Sequence, residues 1–107
     1  MDVSKISDVD QQAVRRAMEY WVEHWDWECP TLFGIELDEL KRVLRRWPFI
    51  DDDDAPTLES AAVGALRELL YGASSLPRAA VEKTIGISYD QAEMLIVTLR
   101  DDRSRTS

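Results

Sequence analysis

The chain is poor in the residues that cross-link, ligate metals or neutralise anions. Its 107 residues include one cysteine, Cys29, and one histidine, His24. A single cysteine excludes an internal disulfide and makes a reducing cytoplasm the expected setting. One cysteine and one histidine do not make a zinc set, and the neighbouring acids Glu23, Asp26 and Glu28 are spread round a helix end, so no metal is expected. Bases are outnumbered: 13 Lys and Arg stand against 21 Asp and Glu, for a net charge of −8. Neutralising phosphates takes Lys and Arg, so nucleic acid is a disfavoured partner and a basic protein a favoured one. No run approaches about 18 apolar residues, which argues against a membrane span. Met1 to Gln12 alternates polar and charged residues without an apolar h-region, so no signal peptide is read there.

Catalytic signatures are missing as well. There is no glycine-rich phosphate loop. His24 and Cys29 invite comparison with a Cys/His nucleophile pair, but Cys29 stands directly before Pro30 and nothing nearby marks a nucleophile turn. A packed thiol and a hydrogen-bonded imidazole account better for both residues. The reading is a non-enzyme without a cofactor and without catalytic residues.

What is present is helical periodicity over a length that suits one domain able to fold on its own core. Ser7 caps a first helix expected over Asp8 to Trp25, with Val14, Met18, Trp21 and Trp25 on one face. Tyr20, His24 and Trp27 form a second stripe on the same helix, turned by about 100°. A helix with two apolar stripes is either covered on both sides or offers one to a partner, and covered is the default. Pro30 biases Cys29 away from helix, leaving Thr31 to Gly34 as a turn. A second helix runs to Trp47 with Leu37, Leu40 and Leu44 inward, and Ile35 staples its start to Leu40. Asp51, Asp52, Asp53 and Asp54 form a run whose mutual repulsion favours a solvated, extended loop. A third helix spans Pro56 to Tyr71, and Gly72 follows it as a cap. Ser74 and Ser75 open a short fourth helix over Pro77 to Thr84, which Gly86 ends. Ser88 and Gln91 make a capping box for the fifth, whose core face is Ala92, Leu95, Ile96 and Leu99.

These elements predict an all-α fold, a compact single-domain bundle of four to five helices over residues 1–107, with 1–7 and 101–107 as flexible ends. Trp21, Trp25, Trp47, Leu40, Leu44, Leu66, Leu69, Leu95 and Ile96 are its expected core. FGIELDEL and IGISYDQA look alike, which is read as convergence on the same helix-start chemistry.

Two surfaces offer themselves for function. Residues 81–99, VEKTIGISYDQAEMLIVTL, resemble a helix-turn-helix, with Glu82 where that family usually has alanine. The would-be recognition helix shows Tyr89, Asp90, Gln91 and Glu93 and no Arg or Lys before Arg100, which fits DNA poorly. Elsewhere, acids sit beside aromatics. Glu23, Asp26 and Glu28 accompany Tyr20, His24 and Trp27, and Asp51–Asp54 add a second acidic group. Acids steer a basic partner in, and Trp and Tyr supply contact area.

YWVEHWDWECPTLFGIELDELKRVLRRWP, followed by LRELLYGAS and GISYDQAEMLI, resembles a family of small helical bacterial proteins from the immunity side of toxin–immunity systems. The resemblance covers most of the chain and brings no catalytic residues with it. It implies a cytoplasmic protein that binds and neutralises one cognate toxin. Partner-contact candidates, resting on the charge and aromatic pattern alone, are Tyr20, Glu23, His24, Asp26, Trp27, Glu28 and Asp51–Asp54. The expected partner is a basic toxin domain, possible nucleases included. An acidic phage-type anti-defence inhibitor would share the mechanism, and a helix-turn-helix transcription regulator is the alternative of a different class.

Overall fold

Six α-helices follow one another: α1 Asp8–Glu23, α2 Cys29–Phe33, α3 Leu37–Arg46, α4 Ala55–Tyr71, α5 Arg78–Ile85 and α6 Tyr89–Arg105. Single 3₁₀ turns occur at Val3–Lys5 and Asp52–Asp54. The computed structural model describes residues 3–49, 52–72 and 75–105, and the side chains of all of these except Ser4, Asp52 and residues 101–105. No strand occurs among the described residues. The fold is all-α, with six helices where four or five were expected.

The extra helix comes from the segment read as a turn. Pro30 sits in the first turn of α2, where its missing N–H needs no partner, so it opens a helix at Cys29 instead of excluding one. Gly34 closes this helix in the left-handed conformation, φ 73°, and its N–H reaches Pro30 O at 2.9 Å. At the other end of the same region, α1 stops at Glu23, two residues short of Trp25. His24 explains the stop: its backbone N–H and its ring Nδ1 both reach Tyr20 O, at 3.1 and 2.8 Å, and its backbone leaves the helix.

Other helix ends follow the expected chemistry. Ser7 Oγ accepts from the Asp10 N–H at 3.1 Å, and Ser88 Oγ from the Gln91 N–H at 3.1 Å. Gln91 does not complete a capping box, since its side chain takes no bond from the Ser88 N–H, and its Nε2 donates to Asp10 Oδ1 on α1 at 2.9 Å. Glu36, a modest cap by type, receives help when its N–H donates to Glu39 Oε1 at 2.9 Å. Gly72 ends α4 in an extended rather than a left-handed conformation. Pro77 precedes α5, while Ser74 lies outside the described residues. Helix α6 runs to Arg105.

The centre of the molecule is the contact of α1 with α4. Small residues are fully buried on both helices, Ala13 and Ala17 on α1 and Ala61, Ala62 and Ala65 on α4. Small side chains let the axes come close. Trp21 Nε1 donates across the contact to Ala65 O at 2.9 Å, so a buried indole N–H is satisfied as such groups must be. Trp47 Nε1 ties the end of α3 to Gln11 O at 3.1 Å. Of the expected core, Trp25 and Leu44 are only half-buried, packed against its edge, and the others are buried.

The helices fall into two halves, α1–α3 and α4–α6, built to one plan. Each has a long helix, a shorter helix ended by a left-handed glycine, and a third helix. With Gly34 set against Gly86, many buried residues pair, though fully buried Ala61 falls against exposed Val9. Ile6 meets Leu58, Val14 Leu66, Met18 Leu70, Phe33 Ile85, Val43 Leu95 and Trp47 Leu99. Contacts between the halves are reciprocal as well: α1 packs on α5 and α4 on α2. The likeness of FGIELDEL to IGISYDQA is thus a small part of a correspondence running through both halves, wider than shared helix-start chemistry requires.

Candidate functional site

The corner between α1 and α2, Tyr20 to Glu28, holds most of the candidate contact residues. Its inner side is fixed. The Tyr20 ring meets Trp21 edge-on with centroids 5.1 Å apart and stacks on His24 at 4.0 Å and 13°. Because a carbonyl oxygen only accepts, the bond from His24 to Tyr20 O places a proton on Nδ1. Trp25 leans on Phe33 of α2 with centroids 5.1 Å apart. Asp26 holds the start of α2: its Oδ1 accepts from the Glu28 N–H at 2.9 Å and from the Cys29 thiol at 3.5 Å. Burial pushes the Cys29 thiol above its ordinary range, opposed by the Asp26 N–H that reaches its sulfur, so the residue is a packed thiol.

The outer side is open. Trp27 lies past the end of α1, so the expected second stripe ends at His24 and Trp27 is not on it. Its side chain is 86% exposed. Glu23, Asp26 and Glu28 are exposed with it, and none of the three has a cation partner among the described residues. A bare indole between carboxylates is an unusual thing to leave in water. The arrangement can supply a large apolar contact and negative charge together.

The second acidic group is built differently. Asp51 and the side chain of Asp52 lie outside the described residues. Asp53 is exposed, but Asp54 is held by Arg42 at 3.0 Å and Arg46 at 3.4 Å. Those two arginines offset the repulsion within the run, and residues 52–54 form a 3₁₀ turn rather than the expected extended loop. Asp54 is part of the junction between α3 and α4. Contacts join Tyr20 to His24 and Asp26 to Glu28, and among the described residues no bond joins Asp53 or Asp54 to the corner at 20–28.

Beside the corner, α2 and α4 enclose a groove of about 490 Å³ lined by Leu32, Phe33, Val63, Gly64 and Arg67, among others. Arg67 closes one side, donating to Leu32 O at 2.7 Å and to Glu68 Oε2 at 3.0 Å. Gly64 allows the helices to approach, since a Cβ there would stand 3.1 Å from the Phe33 ring. Sequence reading passed over this groove. Its one signal was a glycine inside a helix, which weakens a helix unless something must come close.

At α5–α6 the polar groups that would have faced a nucleic acid are occupied. Arg78 pairs with Asp90 at 2.6 Å and lies 4.9 Å from the Tyr89 ring centroid. Tyr89 OH donates to Leu70 O at 3.2 Å, Gln91 is taken by Asp10, and Glu93 accepts from Tyr71 OH at 2.7 Å. Among the described residues no group of three or more His, Cys, Asp or Glu side chains is placed to hold a metal ion, and no helix is long and apolar enough to cross a membrane.

The chain matches no family model, no curated protein and no solved structure.

Proposed function

We propose that the protein is an inhibitory binding protein of the immunity type, one that neutralises a cognate toxin with a basic surface by covering it. The observation that carries this reading is the exposed Trp27, flanked in the chain by the exposed carboxylates Asp26 and Glu28, with Glu23 exposed at the end of α1 before them. The indole supplies contact area of the kind that dominates interfaces, and the carboxylates stand in for the charge of an anionic substrate. Net charge −8 speeds association with a basic partner and keeps the free protein soluble. The mechanism is occlusion, with no catalytic step and no cofactor, and the setting it suits is the cytoplasm of the cell that makes the toxin. An acidic inhibitor of another nucleic-acid enzyme would act in the same way.

The test is a pull-down from the source cells with tagged protein, washed at low and then high salt. One basic protein retained in fixed stoichiometry is the expected result, and its association should slow when Glu23, Asp26 and Glu28 are replaced by their amides. Retention of no protein, or association indifferent to those changes, would overturn the reading. The helix-turn-helix regulator over residues 81–99 has less support, because Asp90, Gln91 and Glu93 are bonded within the protein. Nucleic acid released by salt would revive it.

A further inference from the structure

We propose that the groove between α2 and α4 binds a small carboxylate with an apolar tail, the carboxylate met by Arg67 and the tail laid against Leu32, Phe33 and Val63. The inference does not depend on the inhibitor reading and uses none of the residues of the Trp27 corner. The groove measures about 490 Å³, a size that suits a small molecule. Its shape comes from the packing of α2 on α4. Phe33 and Val63 are buried and form its inner side, while Leu32 stays 40% exposed at its edge. Two glycines keep it open. A Cβ on Gly64 would stand 3.1 Å from the Phe33 ring, and one on Gly34 would meet nothing within 4 Å.

The polar side of the groove is set in advance. Arg67 Nε donates to Glu68 Oε2 at 3.0 Å and Nη2 to Leu32 O at 2.7 Å. Two bonds fix the plane of the guanidinium, so little freedom is left to lose when a ligand arrives. Its Nη1 bonds no described residue. Ser60 of α4 also lines the groove, and its hydroxyl has no bond among the described residues. Donors held in a concavity and left without an acceptor select a ligand that brings one. Charge narrows the choice. Arg67 and Arg100 line the groove against Glu59 alone, a positive excess in a chain of net charge −8. Glu68 offsets part of the Arg67 charge, so a single negative charge suits the site better than a phosphate dianion. A carboxylate carries that single charge and matches the guanidinium in shape. The apolar inner side calls for a hydrocarbon tail behind it.

The probe is octanoate, with 1-octanol as the control that lacks the charge and acetate as the control that lacks the tail. Binding to the full chain is followed by the backbone amide resonances of Gly34 and Gly64. Octanoate should shift both and bind about tenfold more tightly than 1-octanol, the worth of one hydrogen bond between charged groups. Acetate at the same concentrations should move neither. Ser60→Phe, which fills the groove from α4, should abolish octanoate binding at an unchanged melting temperature. Arg67→Met should lower octanoate to the affinity of 1-octanol. That variant also cuts the tie to Leu32 O, and Ser60→Phe, which keeps the tie, decides the matter if α2 loosens. Equal affinity for octanoate and 1-octanol, shifts centred away from Gly34 and Gly64, or octanoate binding that survives Ser60→Phe overturns the proposal.

Discussion

The two halves of the molecule agree where they are buried and part company where they turn. Buried residues correspond at many positions between Ile6 with Leu58 and Trp47 with Leu99, though Ala61 is set against exposed Val9. The corners do not correspond in chemistry. Residues 23–28 of the first half are Glu, His, Trp, Asp, Trp and Glu, whereas 75–80 of the second are Ser, Leu, Pro, Arg, Ala and Ala. All four tryptophans lie in the first half. Packing restricts what a buried position accepts, because a core near crystal density registers the loss or gain of a methylene. A corner in solvent carries no such restriction. One plan used twice, with one corner closed on itself by Arg78, Tyr89 and Asp90 and the other left open and acidic, separates what the fold requires from what it does not.

The largest effects should come from striking the shared plan at equivalent points. Phe33 and Ile85 are both buried and each stands just before its left-handed glycine. Phe33→Ala and Ile85→Ala should each destabilise by about 2–5 kcal/mol. Urea unfolding should remain a single transition in both, because α1 is packed on α5 and α4 on α2, so neither half keeps its core alone. A loss below about 1 kcal/mol at one position, or two separate transitions, would break the equivalence of the halves.

The glycines sharpen the same comparison at smaller size. Gly34 and Gly86 have φ of 73° and 81°, a region where a side chain is strained. Gly34→Ala and Gly86→Ala should each lose about 1–2 kcal/mol on that ground alone. Their surroundings differ: a Cβ on Gly34 meets nothing within 4 Å, while one on Gly86 comes 2.7 Å from an Arg16 guanidinium nitrogen. Arg16 is exposed and its end is free to swing aside, so chemical denaturation should give similar values. A clearly greater loss at Gly86 would mean that Arg16 is fixed over the second corner.

Trp27→Ala contrasts the open corner with the core. Trp21 gives up a buried ring and a bond to Ala65 O, and Trp21→Ala should cost about 3–5 kcal/mol. Trp27→Ala removes a ring that is almost wholly in water and should change stability by less than about 0.5 kcal/mol. Equal melting temperatures for wild type and Trp27→Ala, with partner binding lost, would locate the contact. A large fall in melting temperature would place Trp27 in the packing after all.

How much of this was legible in the sequence depended on which forces were local. The all-α class, the Ser7 and Ser88 caps and the burial of Leu40, Leu66 and Leu69 follow from spacing and cap chemistry within a few residues. The end of α1 did not, because it turns on the His24 ring returning to Tyr20 O, an event that periodicity does not register. Helix α2 was missed because Pro30 has two opposite meanings, ending one helix or starting the next. At the candidate site, periodicity places Trp27 on a helical stripe, but the helix has ended before it and the ring is exposed. Asp54 and Asp53 look alike in sequence, and only the fold brings Arg42 and Arg46 to one of them. The correspondence of the halves was visible as one octapeptide, since aligned core positions hold different residues, as with Leu40 and Ala92.

The smallest expected effect tests how firmly the second half is closed. Tyr71 OH donates to Glu93 Oε2 at 2.7 Å, joining α4 to α6. Ionising the phenol would remove the donated proton and set two anionic oxygens together, so the bond to Glu93, then burial, pushes Tyr71 from 10 up to about 12. Between those values the folded protein holds a proton that the unfolded chain has released. Stability from this bond is therefore complete below pH 10 and declines as pH rises towards 12. Tyr71 is more than half exposed, and solvent screening keeps the contribution small. Tyr71→Phe should remove one phenol titrating near pH 12 from the ultraviolet tyrosinate titration, and the stability difference from wild type should shrink as pH passes from 10 to 12. A difference that stays constant across that range would show that the hydroxyl does not hold α4 to α6. The closure of the second half would then rest on Arg78, Asp90 and Tyr89 alone.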